Sequence, residues 1–158
     1  MGLDMYLTKE IYIGANWEHS GVTGQIRLKK NGIPIPINLR RVSTITEEVG
    51  YWRKANQIHN WFVQNVQDGI DECQKSWVSA EQLKQLYNTC KKVYASRHDG
   101  GKLAQELLPT SSGFFFGTYD YDEYYYEQIQ DTIKILKPIV KHLDDDNRVG
   151  DFYYQASW

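Results

Sequence analysis

Four polar side chains follow one another at close spacing within YWRKANQIHNWFVQNVQDGI, residues 51–70, and together they could grip a polar ligand. Arg53 offers a planar fork of N–H donors suited to phosphate, and Asn56 and Asn60 can both donate to and accept from a base edge. The His59 imidazole can do either near neutral pH. Read as one helix at about 100° per residue, the stretch puts Trp52, Ala55, Ile58, Phe62, Val63, Val66 and Ile70 on a continuous apolar arc, with His59 inside it and Trp61 roughly opposite. Arg53, Asn56 and Asn60 then line the arc's boundary as successive polar teeth, with Lys54 further round. A plainer reading makes His59 a buried neutral imidazole bonded to backbone or a tyrosine, and Trp61 a packing residue against a second layer or subunit.

A second candidate segment is LLPTSSGFFFGTYDYDEYYY, residues 107–126. Thr110, Ser111, Ser112 and Gly113 supply hydroxyls and a backbone whose amides could face an anion. The phenylalanines and tyrosines that follow could wall a pocket: in a strand Phe115 points opposite to Phe114 and Phe116, and Tyr124 falls off the apolar stripe of the helix expected from about Tyr121. The candidate ligand-binding set is therefore Arg53, Lys54, Asn56, His59, Asn60, Ser111, Ser112, Gly113, Phe115 and Tyr124.

Signatures of catalysis are sparse. HDGGK, residues 98–102, lacks the spacing of a phosphate loop. His19, His59, His98 and His142 show no paired spacing for a metal, and Cys73 and Cys90 sit near no histidine. Asp120, Asp122 and Glu123 could hold a divalent metal for phosphodiester hydrolysis, though acids at that place more often favour a helix N-terminus. No catalytic residue, metal ligand or cofactor is assigned.

The elements that must position these residues read as α+β. GLDMYL alternates Leu3, Met5 and Leu7 with polar neighbours as a strand does, and EIYIG extends it. Asn31-Gly32 within GQIRLKKNGIPIPINLRRV is the favoured pair for a tight hairpin, and Pro34 and Pro36 mark its returning strand as an edge. Ser79 with Gln82 forms a capping box before a helix whose stripe is Leu83, Leu86, Tyr87, Cys90, Val93 and Tyr94. Asp120 with Glu123 caps a longer helix carrying Pro138 as a kink point. DFYYQASW alternates as a closing strand. The expectation is a single domain over residues 1–158: N-terminal antiparallel strands and a hairpin packed against about three helices, with a closing C-terminal strand.

Composition bounds the function. The chain has 158 residues, twelve Tyr, five Trp and five Phe, a surplus of amphipathic rings that suits pockets and interfaces. A net charge of −2 argues against general nucleic-acid binding, yet residues 21–54 carry a balance of +5 and residues 99–151 one of −6. Two cysteines without C-x-x-C spacing, and no apolar run approaching the roughly 20 residues of a membrane span, point to a reduced cytoplasmic protein.

MGLDMYL, YWRKANQIHNWFVQNVQDGIDEC, LLPTSSGFFFG, YDEYYYE and the terminal DFYYQASW together resemble a family of small, functionally unassigned proteins encoded by bacteriophages and prophages. The resemblance implies action in the cytoplasm of an infected bacterial host and, by analogy with other small phage proteins, sequestration of a host immune signalling nucleotide, such as a cyclic nucleotide or an ADP-ribose derivative. Such a sponge needs nanomolar affinity, about −12 kcal/mol. Two aromatic stacks and three charge-assisted phosphate contacts, at about 1–3 kcal/mol each, reach that range before the costs of binding. The alternatives are an interaction protein inhibiting a host enzyme and a metal-dependent phosphodiesterase. Trp61, Tyr124 and Trp158, outside the expected core stripes, suggest a homo-oligomer.

Overall fold

A computed structural model describes residues 2–14, 26–113, 117–146 and 148–158, with the Leu39 side chain excluded. The expectations for His19, Phe114, Phe115 and Phe116, and for the first residues of the hairpin segment, lie outside the described residues. The chain runs β1 (Asp4–Tyr12), β2 (Leu28–Lys30), β3 (Ile33–Ile35), a 3-10 turn (Leu39–Arg41), β4 (Thr44–Arg53), α1 (Asn56–Val66), β5 (Ser76–Val78), α2 (Ala80–Ala95), α3 (Lys102–Leu107), α4 (Glu123–Lys141) and β6 (Asp151–Ser157). The fold is α+β, as the sequence indicates.

The main sheet is antiparallel throughout, in the order β4-β1-β6-β5, so the first and last long strands lie side by side at its centre. Alternation explains which face is buried. Leu3, Met5 and Leu7 meet Phe152, Tyr154 and Ala156 on the inner face, and α1, α2 and α4 complete one hydrophobic core there with Ile58, Phe62, Leu86, Ile129 and Leu136. The outer face carries Tyr6, Tyr51, Tyr153 and Trp77, with the Tyr6 and Tyr51 rings 5.4 Å apart. The Asn31-Gly32 turn has both residues at positive φ, 52° and 81°, as a tight hairpin of this type requires, and β2–β3 forms a separate two-stranded sheet.

The Ser79 capping box forms with both of its hydrogen bonds. The cap of α4 is corrected: Asp122, not Asp120, accepts from the Tyr125 amide at 3.0 Å. Pro138 stands in the last turn of α4 without ending it.

The larger correction concerns residues 51–70, which are not one helix. Tyr51, Trp52 and Arg53 end strand β4, Lys54 turns the chain at φ 58°, and α1 begins at Asn56. Trp52 still reaches the core, through strand alternation instead of helical periodicity, and its indole N–H donates to Thr132 Oγ1 at 2.9 Å. Ile70, expected on the apolar arc, lies beyond the helix and is exposed. Trp61 is buried at 6% exposure and packs edge-on against Phe62 at 5.3 Å, so it faces the interior. Helix α1 packs against α2 and β5, and although Gln64 and Asn65 one turn further on are exposed, the Trp61 ring itself is covered.

Candidate functional site

The two segments singled out by sequence meet, and Asn56 is the joint. Its Nδ2 donates to the Thr118 carbonyl at 2.9 Å and its Oδ1 accepts from the Ser111 amide at 3.1 Å, while the side chain is 1% exposed. A buried primary amide with a donor and an acceptor at opposite corners suits this bridge between two extended strands of loop. The loop also closes on itself. The Thr110 amide donates to the Tyr121 hydroxyl at 3.2 Å, Thr110 Oγ1 donates to the Tyr119 carbonyl at 3.1 Å, and the Tyr119 hydroxyl donates to the Gly113 carbonyl at 3.2 Å.

Beside the joint stand Arg53 and Lys54. Arg53 is exposed, and its Nε lies 3.8 Å from Asp4 Oδ1, a loose pair that leaves the guanidinium accessible to an anion. Lys54 holds left-handed backbone geometry that glycine prefers, fixed by its amide donating to the Leu3 carbonyl at 2.8 Å. Gly117 packs onto it: a Cβ there would come within 3.3 Å of both Lys54 Cβ and the Lys54 carbonyl. Ser111 is half-buried and Ser112 exposed, and among the described residues neither hydroxyl makes a hydrogen bond. Tyr124 is 46% exposed and sits one turn before Gln128, whose Oε1 accepts from Gln57 Nε2 of α1 at 2.9 Å. Gln128 Nε2 is buried without a partner at this junction, a costly state for a donor.

His59 does not belong to this site. It lies 1% exposed in the core, with Nδ1 2.8 Å from the Tyr154 hydroxyl and Nε2 3.0 Å from Asp71 Oδ2. A neutral imidazole satisfies both partners, Nε2–H donating to the carboxylate and Nδ1 accepting from the phenol. Burial, with Asp71 and Cys73 nearby, pushes the Tyr154 phenol well above its ordinary range, so it stays a donor. Asp71 Oδ1 accepts from the Trp158 indole at 3.2 Å, which ties the chain's last residue to the same carboxylate. The Tyr154–His59–Asp71 line has the residue types of a proton relay, but its phenol is fully buried and stacked on Phe62 at 3.9 Å, out of reach of a substrate. It is a structural lock. Asn60, one turn after Asn56, is half-buried and, among the described residues, makes no hydrogen bond to the loop.

Of the acids considered for a metal, Asp122 is taken up as the cap of α4, and among the described residues no group of three or more His, Cys, Asp or Glu is placed to hold a metal ion. Both cysteines are free. Among the described residues no helix is long and apolar enough to cross a membrane. A scan against protein-family models and searches of curated proteins and of solved structures return no match for this chain.

Proposed function

We propose that the protein binds and retains a small anionic, nucleotide-type ligand where the β4–α1 turn meets residues 109–113 and 117–121. The observation that carries this is the Asn56 bridge, which ties the Ser111 amide and the Thr118 carbonyl to the start of α1, two residues after the exposed Lys54 onto which Gly117 packs, with exposed Arg53 next to it in the chain. The positive end of α1 starts at the same place, and Ala55 at its cap offers no side-chain oxygen to quench it. Lys54 adds a further sign, because a lysine kept at φ 58° costs about 1–3 kcal/mol and such strain gathers at functional sites. Arg53 and Lys54 supply the phosphate contacts, the Ser111 and Ser112 hydroxyls donate to phosphate or ribose, and Tyr124 supplies a stacking surface. The phage-family resemblance gives this binding its role: sequestration of a host immune signalling nucleotide in the infected cell.

The test is incubation with a panel of cyclic nucleotides and ADP-ribose derivatives, followed by heating and recovery. A ligand depleted and returned intact is expected, and R53E is expected to abolish depletion with little change in melting temperature. A chemically altered product would replace the binding reading with an enzymatic one, and no depletion across the panel would overturn it.

One observation favours a second reading, an interaction protein or homo-oligomer: among the described residues no element covers the outer sheet face, which presents Tyr51 and Trp77, both exposed, beside Tyr6 and Tyr153. Light scattering at micromolar concentration would show a mass above 18.5 kDa if this face joins copies. Trp61, being internal, contributes nothing to it.

A further inference from the structure

A cleft of about 500 Å³ opens between the C-terminal end of α2 and the N-terminal end of α4. Its walls are tyrosines: Tyr94 from α2, Tyr121 from the loop and Tyr126 from α4. Its carboxylates come from the first turns of α4. Asp122 is occupied as the helix cap, but Glu123 and Glu127 stand one turn apart on the same helix face, and among the described residues neither is in an ion pair. Like charges at that spacing repel each other, so their shared surface gains by accepting a cation between them.

The basic groups of the lining are Arg97 and His98. Arg97 does not neutralise the acids: its guanidinium lies 4.7 Å from the centre of the Tyr94 ring, and Nη1 donates to the Tyr94 carbonyl at 3.0 Å. That contact is itself an instance of a cation resting on this wall. The charged lining is negative as well, with Asp122, Glu123 and Glu127 against Arg97. Burial, Asp99 and Tyr121 together hold the Tyr126 phenol above its ordinary range.

We infer that this cleft is a binding site for a small organic ammonium ion of the aliphatic diamine or polyamine class. One ammonium group would sit between Glu123 and Glu127, and the methylene chain with its second ammonium would lie along the faces of Tyr126 and Tyr121. Tyrosine rings accept both the cation, through the ring quadrupole, and the apolar chain, through dispersion. The inference uses none of the residues assigned to the anionic ligand, so the two stand or fall separately.

The experiment is calorimetric titration of the full chain at low ionic strength with putrescine, and with butanediol as its uncharged counterpart. Putrescine should bind with a dissociation constant on the order of a millimolar or tighter, and added salt should weaken it. E123Q/E127Q should weaken binding about tenfold or more, because the ammonium between them loses both of its counter-charges, at exposed positions that do not hold the fold. Tyr126→Phe should keep most of the affinity, since the ring face remains, and Tyr126→Leu should lose it. Equal affinity in wild type and the double glutamine variant would overturn the proposal, as would butanediol binding as well as putrescine, or no heat from putrescine at tens of millimolar.

Discussion

Lys54 brings backbone strain and ligand chemistry together in one residue. Its left-handed conformation suits glycine, and Lys54→Gly should therefore leave stability unchanged or raise it by about 0.5–1 kcal/mol, offset in part by the added freedom of the unfolded chain. The same variant removes a cation from the anion site and should weaken ligand binding. A stability gain with a binding loss, read by thermal melts and ligand depletion, is the pattern expected of a strained functional residue; intact binding would reduce Lys54 to a turn. Asn56→Ala acts differently. It strips two buried bonds and leaves the Ser111 amide and Thr118 carbonyl unpaired, so it should cost about 1–3 kcal/mol and accelerate amide exchange through the loop before any effect on ligand is considered. Leucine in its place would cost as much, because bulk does not replace the two hydrogen bonds.

At the scale of elements, the approach of α4 to the sheet depends on one glycine. A Cβ on Gly50 would lie 2.8 Å from Ile135 Cγ2 and 3.0 Å from the Trp52 ring. Gly50 also borders the β1–β4 bulge, where pairing shifts between Leu7 and Thr8. Gly50→Ala should then destabilise by about 1–3 kcal/mol through overpacking, and Ile135→Ala, which removes the Cγ2 in the way, should cost less in the Gly50→Ala chain than in the wild type, a coupling measured by the double-mutant cycle in urea. The contact joins elements far apart in sequence, which is why the glycine gave no signal in the sequence beyond its type. The boundary between β4 and α1 was hidden for a related reason. Trp52 fits the apolar arc of a helix as well as the alternation of a strand, and only the positive φ at Lys54, in a residue type that rarely adopts it, separates the two. Where local chemistry was sufficient, reading succeeded: the Asn31-Gly32 hairpin, the Ser79 capping box and the alternation of Phe152, Tyr154 and Ala156 each rest on neighbours within a few residues.

Across the whole molecule, β6 pairs with β1 at the centre of the sheet, and the buried titratable groups lie at two places, Tyr154 on β6 and Tyr125 with Cys90 between α4 and α2. Asn56 and Ser111 were each legible as candidates because both segments are unusual in composition, whereas their contact depends on a turn of the fold that neither segment encodes alone. The destination of His59 was open between ligand and core, since its partners Tyr154 and Asp71 meet it only in the folded state. That burial has a measurable consequence. In the folded chain, burial raises the phenols of Tyr154 and Tyr125 above the ordinary 10.0, and the thiol of Cys90 above the ordinary 9.0. The folded protein keeps these protons where the unfolded chain sheds them. The stability this reflects is fully present below about pH 9 and is lost as pH rises through the unfolded values, at a slope approaching ~1.4 kcal/mol per pH unit for each group. Urea midpoints measured from pH 7 to 11 should therefore stay flat and then fall steeply. Tyr154→Phe keeps the stack on Phe62 but removes one proton and the His59 partner, so it should lower the plateau by about 1–3 kcal/mol and make the alkaline fall shallower. An unchanged slope in that variant would mean that the Tyr154 phenol ionises in the folded state as easily as in water, and that the lock between β6 and α1 is looser than its geometry.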